Sequence, residues 1–210
     1  MAPRAVLSVL VVLLLIGCRQ DGRRGPDASV RHDTRSSVTD KPPAGRPATA
    51  LFVEYVTTPQ DVVERMLEIA KVTKNDVVYD LGCGDGRIVI TAAQRYGCRA
   101  VGYDVDPLRI REARENVARR RVAHLVTIEQ QDVLQTDLRE ASVVTLYLGT
   151  EINARLIPPL RQLRSGARIV SHDFPIGNLR PDRVVKMTSR TDRRQHTLYR
   201  WTCPLPPESR

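Results

Sequence analysis

The sequence predicts an α/β protein: a doubly wound, mostly parallel sheet of about seven strands that ends in a C-terminal β-hairpin. Three observations predict it. Strand-like apolar runs alternate with helix-period runs from residue 58 to residue 171. The first strand, at 77–81, runs into glycines at alternate positions 82, 84 and 86, and a helix pattern opens at Arg87. Two last strand-like runs, at 184–189 and 197–202, flank a polar turn around Asp192. Alternation of this kind builds a parallel sheet with helices on both faces, and ligands then bind at the carboxyl ends of the strands.

The elements follow in order. Thr58 caps the first helix, Pro59 suits its first position, and Asp61 favours its positive end. Val62, Val63, Met66, Leu67, Ile69 and Ala70 form the apolar face. A polar loop at 73–76 leads into the strand at 77–81. The helix at 87–96 carries Ile88, Ala92 and Tyr96 on one side and stops at Gly97. The strand at 99–105 ends in Asp104-Val105, and Asp106-Pro107 caps the next helix, whose stripe is Leu108, Ile110, Ala113 and Val117. A third strand covers 125–128. The fourth, at 142–148, is nearly all apolar, as a strand buried on both faces should be. Thr150 caps a helix reaching Leu163 and bent at Pro158-Pro159, and a fifth strand covers 167–171.

The chain has 210 residues, 27% charged and 41% hydrophobic, enough for one domain once its tails are set aside. Its net charge of +9 favours anionic partners, but the basic residues are spread along the chain and aromatic residues are only 4%. A stacking platform for nucleic acid is therefore not expected. Arg4 precedes an apolar run from Ala5 to Ile16, followed by Gly17-Cys18. The run is too short for an ordinary membrane-spanning helix and suits a signal-peptide core. Leu15-Ile16-Gly17-Cys18 resembles the bacterial lipobox, so residues 1–18 are read as a signal peptide and Cys18 as a lipidated membrane anchor. Residues 19–50 lack large apolar side chains and read as a disordered tether. The folded domain is placed at 51–205. The other cysteines, Cys83, Cys98 and Cys203, form no close pair, so neither a disulfide framework nor a metal site is expected.

Glycines at alternate positions let the backbone turn sharply and approach a ligand with no Cβ in the way. The following helix points free N–H groups at the same place. Asp104, about 20 residues further on, is placed to accept hydrogen bonds from ribose hydroxyls. The dinucleotide fingerprint is G-x-G-x-x-G, whereas this chain has G-x-G-x-G preceded by Asp80. A carboxylate there repels a pyrophosphate and suits a ligand with an ammonium group, such as S-adenosylmethionine.

VYDLGCGDGR, GYDVDP and QQDV resemble the first three motifs of the class I S-adenosylmethionine-dependent methyltransferases, which have a Rossmann-like fold. LRSGARIV resembles their approach to the fifth strand. The resemblance implies that Gly82, Cys83, Gly84 and Gly86 line the donor, that Asp80 lies near its amine and Asp104 on its ribose. It implies Asp132 at the adenine amino group, with Val105 and Val133 against the ring. The segment Tyr-Val-x-Thr-Pro upstream of the glycine turn, and S-H-D-F-P after the fifth strand, are similar to the small membrane-associated protein-lysine methyltransferases. That group includes the enzymes acting on the ATP synthase c subunit and the adenine nucleotide translocase. In it the segment before the first helix encloses the donor, which implicates Tyr55 and Thr58.

A lysine N-methyltransferase acting on a protein is therefore the expected function. An inactive envelope lipoprotein of the same fold and a small-molecule methyltransferase are the alternatives. Glu54, Tyr55 and Tyr147 are the candidate catalytic residues, Glu54 as a carboxylate that orients an amine. His172 and Asp173 also fall near the mouth of the site, with His172 read as structural. A monomer is expected. The lipobox and the charges beside it disagree on topology: Arg19, Arg23 and Arg24 follow the apolar run, which would keep the domain on the cytosolic side, where the donor is made.

Overall fold

The computed structural model describes residues 55–208. The signal-peptide and tether expectations, with Cys18, and the candidate Glu54 lie outside the described residues.

Among the described residues, seven strands form one sheet in the order β3-β2-β1-β4-β5-β7-β6. The chain runs α1 (Gln60–Ile69), β1 (Val77–Leu81), α2 (Arg87–Tyr96), β2 (Arg99–Asp104), α3 (Pro107–Arg119) and β3 (Val126–Gln130). It continues through a 3-10 turn at Val133–Gln135, β4 (Val143–Leu146), α4 (Thr150–Arg155), α5 (Ile157–Leu160), β5 (Arg168–His172), β6 (Arg183–Thr188) and β7 (Gln195–Thr202). The first five strands pair in parallel, and β7 is antiparallel to both β5 and β6. Strand order reverses between β1 and β4. That switch point opens a crevice at the carboxyl ends of the strands.

Buried side chains pack on both faces of the sheet, which is why β1 and β4 are buried at every position and apolar except at Tyr79, Asp80 and Thr145. One cluster gathers α1, α2 and α3 through Val62, Met66, Ile90 and Ala113. The other gathers α4, α5 and Trp201 of β7. Trp201 is fully buried and donates through its indole nitrogen to the Leu179 carbonyl at 3.2 Å. At the opposite, amino ends of the strands, Asp76 accepts from Ser142 Oγ at 2.6 Å and pairs with Arg168 at 2.9 Å. Burial alone would raise this carboxyl. The hydrogen bonds from Arg168, Ser142 and Thr73 outweigh it and hold Asp76 down at about 2.

Local structure departs from the sequence reading in three places. Thr58 is not the cap of α1: Pro59 holds that position, and the Thr58 hydroxyl turns instead toward His172 Nδ1 at 3.2 Å. The helix expected from Thr150 to Leu163 is two short helices with Gly149 as the first cap. Pro158 and Pro159 lack the N–H groups that would continue the first helix, so a new one starts at Ile157 with the prolines in its first turn. β4 ends at Leu146, and Tyr147 and Leu148 belong to the loop beyond it.

Candidate active site

The turn between β1 and α2 is held in left-handed backbone. Gly82, Gly84 and Gly86 have φ of 79°, 52° and 79°, a region that side-chain-bearing residues enter only at a cost. Space is short as well. A Cβ on Gly82 would lie 2.4 Å from Leu148 Cδ2, and one on Gly84 would lie 2.3 Å from Tyr55 Cε2. Leu148 and Tyr55 thus cover the turn from two sides. Cys83 is buried between the glycines and faces Gly102 of β2, where a Cβ would lie 2.8 Å from both the Cβ and the Sγ of Cys83. Burial raises the Cys83 thiol well above its ordinary value, so it packs rather than reacts.

Three aspartates stand at the carboxyl ends of three adjacent strands. Asp80 of β1 is buried and accepts a hydrogen bond from Thr145 Oγ1 at 2.7 Å. Burial pushes it up to about 7. The Thr145 hydrogen bond works against this, and Asp104 and Asp85 add to it. Asp104 of β2 accepts from the Gly84 N–H at 2.9 Å through one oxygen and from the Asp106 N–H at 2.9 Å through the other. It therefore ties the glycine turn to the start of α3, and each oxygen keeps a second lone pair. Asp132, just past β3, accepts from the Leu134 N–H at 3.0 Å and caps the 3-10 turn. Val105 is exposed beside Asp104, whereas Val133 is buried in the second core cluster.

The segment before α1 is bound to the turn. Arg87 forks onto Asp85, with its closest contact at 2.6 Å, and its Nη1 donates to the Thr58 carbonyl at 2.8 Å. Arg109 of α3 lies 4.5 Å from the centre of the Tyr55 ring, within cation–π range. Tyr55 and Thr58 are thus brought to the glycine turn, but through different groups: the Tyr55 ring covers Gly84, while the Thr58 hydroxyl is engaged with His172.

Tyr147 sits across the switch point. Its ring lies 4.0 Å from the His172 ring and 5.9 Å from the Phe174 ring, centre to centre. Behind it, His172 Nε2 is 2.8 Å from His196 Nδ1, and Asp173 Oδ2 is 3.0 Å from His196 Nδ1. Burial lowers His172 to about 4, against an upward pull from Asp173 and with a further downward push from His196. Sequence reasoning missed Thr145, Leu148, Arg87, Arg109 and His196. A threonine inside the apolar run of β4 was the available signal for the first. The others are defined by pairings distant in sequence.

Glycines without Cβ at the turn, carboxylates on three successive strand ends and an exposed valine between two of them fit a ligand with an ammonium, a ribose and an adenine and without phosphate. On this sheet order they define a class I S-adenosylmethionine-dependent methyltransferase. Comparison with known proteins narrows the class. The family described as "ANTKMT methyltransferase domain" matches residues 80–183. A protein-lysine N-methyltransferase of Saccharolobus islandicus is 46% identical over 149 residues, covering 70% of this chain and 91% of the relative. The mouse adenine nucleotide translocase lysine N-methyltransferase is 34% identical over 137 residues, 64% of this chain, and this chain spans 59% of its length. Among solved structures, an RNA methyltransferase of Salinibacter ruber in complex with S-adenosyl-L-homocysteine is 48% identical. It has a TM-score of 0.68 and covers 73% of this chain and 98% of its own. The chain belongs to this family of S-adenosylmethionine-dependent methyltransferases, and S-adenosylmethionine is its methyl donor.

Proposed function

We propose that the protein methylates the ε-amino nitrogen of lysine in a protein substrate. The observation that carries this reading is the 46% identity extending over 91% of the Saccharolobus protein-lysine enzyme. The aromatic faces of Tyr147 and Phe174 beside the switch point support it, because such faces attract a cationic alkylamine. In this reading Asp80 receives the donor's ammonium, Asp104 its ribose hydroxyls and Asp132 its adenine amino group. Gly82, Cys83, Gly84 and Gly86 form the floor, Val105 and Val133 lie toward the ring, and Tyr55 closes over the top.

The bound donor supplies an already activated methyl group, so the chain's task is alignment and exclusion of water. Tyr55 and Leu148 narrow the opening above the glycines. Tyr147, and Glu54 upstream, steer the amine. The amine must arrive uncharged, and the desolvation imposed by these aromatic walls favours loss of its proton. Attachment to a membrane through Cys18 belongs to the same proposal. Globomycin-sensitive processing of the full chain tests it, and processing unaffected by the inhibitor and by Cys18→Ala overturns it.

A second reading, RNA methylation, is favoured by the name of the Salinibacter neighbour. One experiment separates the two: incubation with methyl-labelled S-adenosylmethionine and cell extract, followed by parallel nuclease and protease digestion. Label in methyl-lysine is expected. Label released only by nuclease, or no transfer at all, overturns the lysine reading.

A further inference from the structure

Three side-chain atoms meet behind Tyr147 in an arrangement that hydrogen bonding cannot satisfy while the carboxyl is ionised. His172 Nε2, His196 Nδ1 and Asp173 Oδ2 are separated by 2.8, 3.0 and 3.2 Å. Each ring nitrogen carries at most one proton and the ionised carboxylate none. If both nitrogens are protonated, two N–H groups oppose each other across 2.8 Å. If only one is, the other nitrogen's lone pair faces the carboxylate. While the carboxylate is ionised, every protonation state of the two nitrogens leaves one edge of the triangle repulsive, and the two histidines are almost wholly buried.

The outer atoms of the same residues are all engaged. His196 Nε2 faces the Asp192 carboxylate at 3.2 and 3.3 Å, an acceptor-only partner that places the proton on Nε2 and leaves Nδ1 bare. His172 Nδ1 faces the Thr58 hydroxyl at 3.2 Å, and Asp173 Oδ1 accepts from the Thr197 N–H at 2.7 Å. Histidines that ligate metals characteristically hold their second nitrogen this way, against a carboxylate or another polar group. Asp173 holds its position in a left-handed backbone, φ 58°. Strain of that kind at a non-glycine residue collects at functional sites.

We propose that His172, His196 and Asp173 bind one divalent first-row transition metal ion, zinc foremost. The separations support it. Metal–ligand lengths of about 2.0–2.1 Å put neighbouring ligand atoms roughly 2.9 Å apart at right angles and roughly 3.3 Å apart in a tetrahedron. The observed edges of 2.8, 3.0 and 3.2 Å lie toward the right-angle end of that span, and two imidazoles with one carboxylate suit such ions. The expectation of no metal rested on cysteine spacing. This site contains no cysteine, and its histidines, 24 positions apart, meet because β5 pairs with β7. The ion fastens the loop after β5 to the hairpin and, through Thr58, to the segment that carries Tyr55.

Metal analysis of the full chain and titration of metal-free protein with zinc alone test the proposal. One ion per chain is expected, with sub-micromolar affinity. Cobalt added in place of zinc should give ligand-field bands without thiolate charge transfer. His172→Gln and Asp173→Asn should each weaken zinc at least tenfold. No binding of zinc, cobalt or manganese at micromolar concentration overturns the proposal. So does binding unchanged in both variants, or a cobalt spectrum with thiolate bands. The cobalt spectrum is read on the unaltered chain and does not depend on the variants folding.

Discussion

Lowering the pH from about 8 to about 6 should weaken S-adenosylmethionine binding roughly tenfold, because Asp80 must be ionised to receive an ammonium group. Its carboxyl stands at about 7 in the folded chain, raised chiefly by burial beneath the glycine turn. At about pH 8 some nine-tenths of the molecules hold the carboxylate, and at about pH 6 roughly one-tenth do. Binding at the lower pH must therefore expel a proton, at about 1.4 kcal/mol per unit. Stability runs the other way. The folded value lies above the unfolded one, so the folded state holds an extra proton between about pH 4 and about pH 7. That contribution is complete below the unfolded value, declines as pH rises, and is gone above about pH 7. Its upper bound is about 4 kcal/mol. Isothermal titration across this range, paired with thermal melts, measures both trends. Asp80→Asn should flatten both and bind donor weakly throughout. A wild-type affinity that is level from about pH 6 to about pH 8, or an equal slope in the variant, refutes the reasoning.

Gly84→Ala should lower donor affinity at least tenfold and cost about 1–2 kcal/mol of stability, because it combines a φ of 52° with a Cβ 2.3 Å from Tyr55; titration and melts read each effect. Asp104→Ala should weaken the donor at least tenfold, about 1.4 kcal/mol, and also loosen the turn through loss of the Gly84 N–H bond; titration measures this. Asp76→Asn should cost about 2–3 kcal/mol at neutral pH. Because the Asp76 carboxyl is held down at about 2, its contribution is present above the unfolded value and disappears as pH falls from about 4 to about 2. Denaturant unfolding followed by the fluorescence of Trp201, the single tryptophan, checks that window.

Where information is local, the chain was legible. The glycine turn, the Asp106-Pro107 cap and the alternation of strands with helices each occupy a few consecutive residues, and each forms where the pattern places it. Asp80 and Asp104 were legible from their places before and about 20 residues after the glycine turn, and Asp132 only through the family resemblance. Tyr55 reached the turn as the family resemblance implied, but the Thr58 hydroxyl did not, because its partner His172 lies 114 positions away. The helix expected over residues 150–163 split rather than bent at Pro158-Pro159, because the two prolines lack the N–H groups that would carry it on. The cluster around His172 was invisible for a topological reason: it requires an antiparallel strand inserted beside β5, and nothing near His172 or His196 announces that pairing.

Cys83 and Gly102 constrain each other across β1 and β2. A side chain at 102 meets the cysteine backbone-side carbon as well as its sulfur, so trimming residue 83 to alanine relieves only part of the clash. The two positions therefore form an epistatic pair. Enlarging residue 102 calls for a smaller residue at 83 and, because the same Cβ would lie 3.0 Å from Ile128 Cδ1, for a shift of that side chain as well.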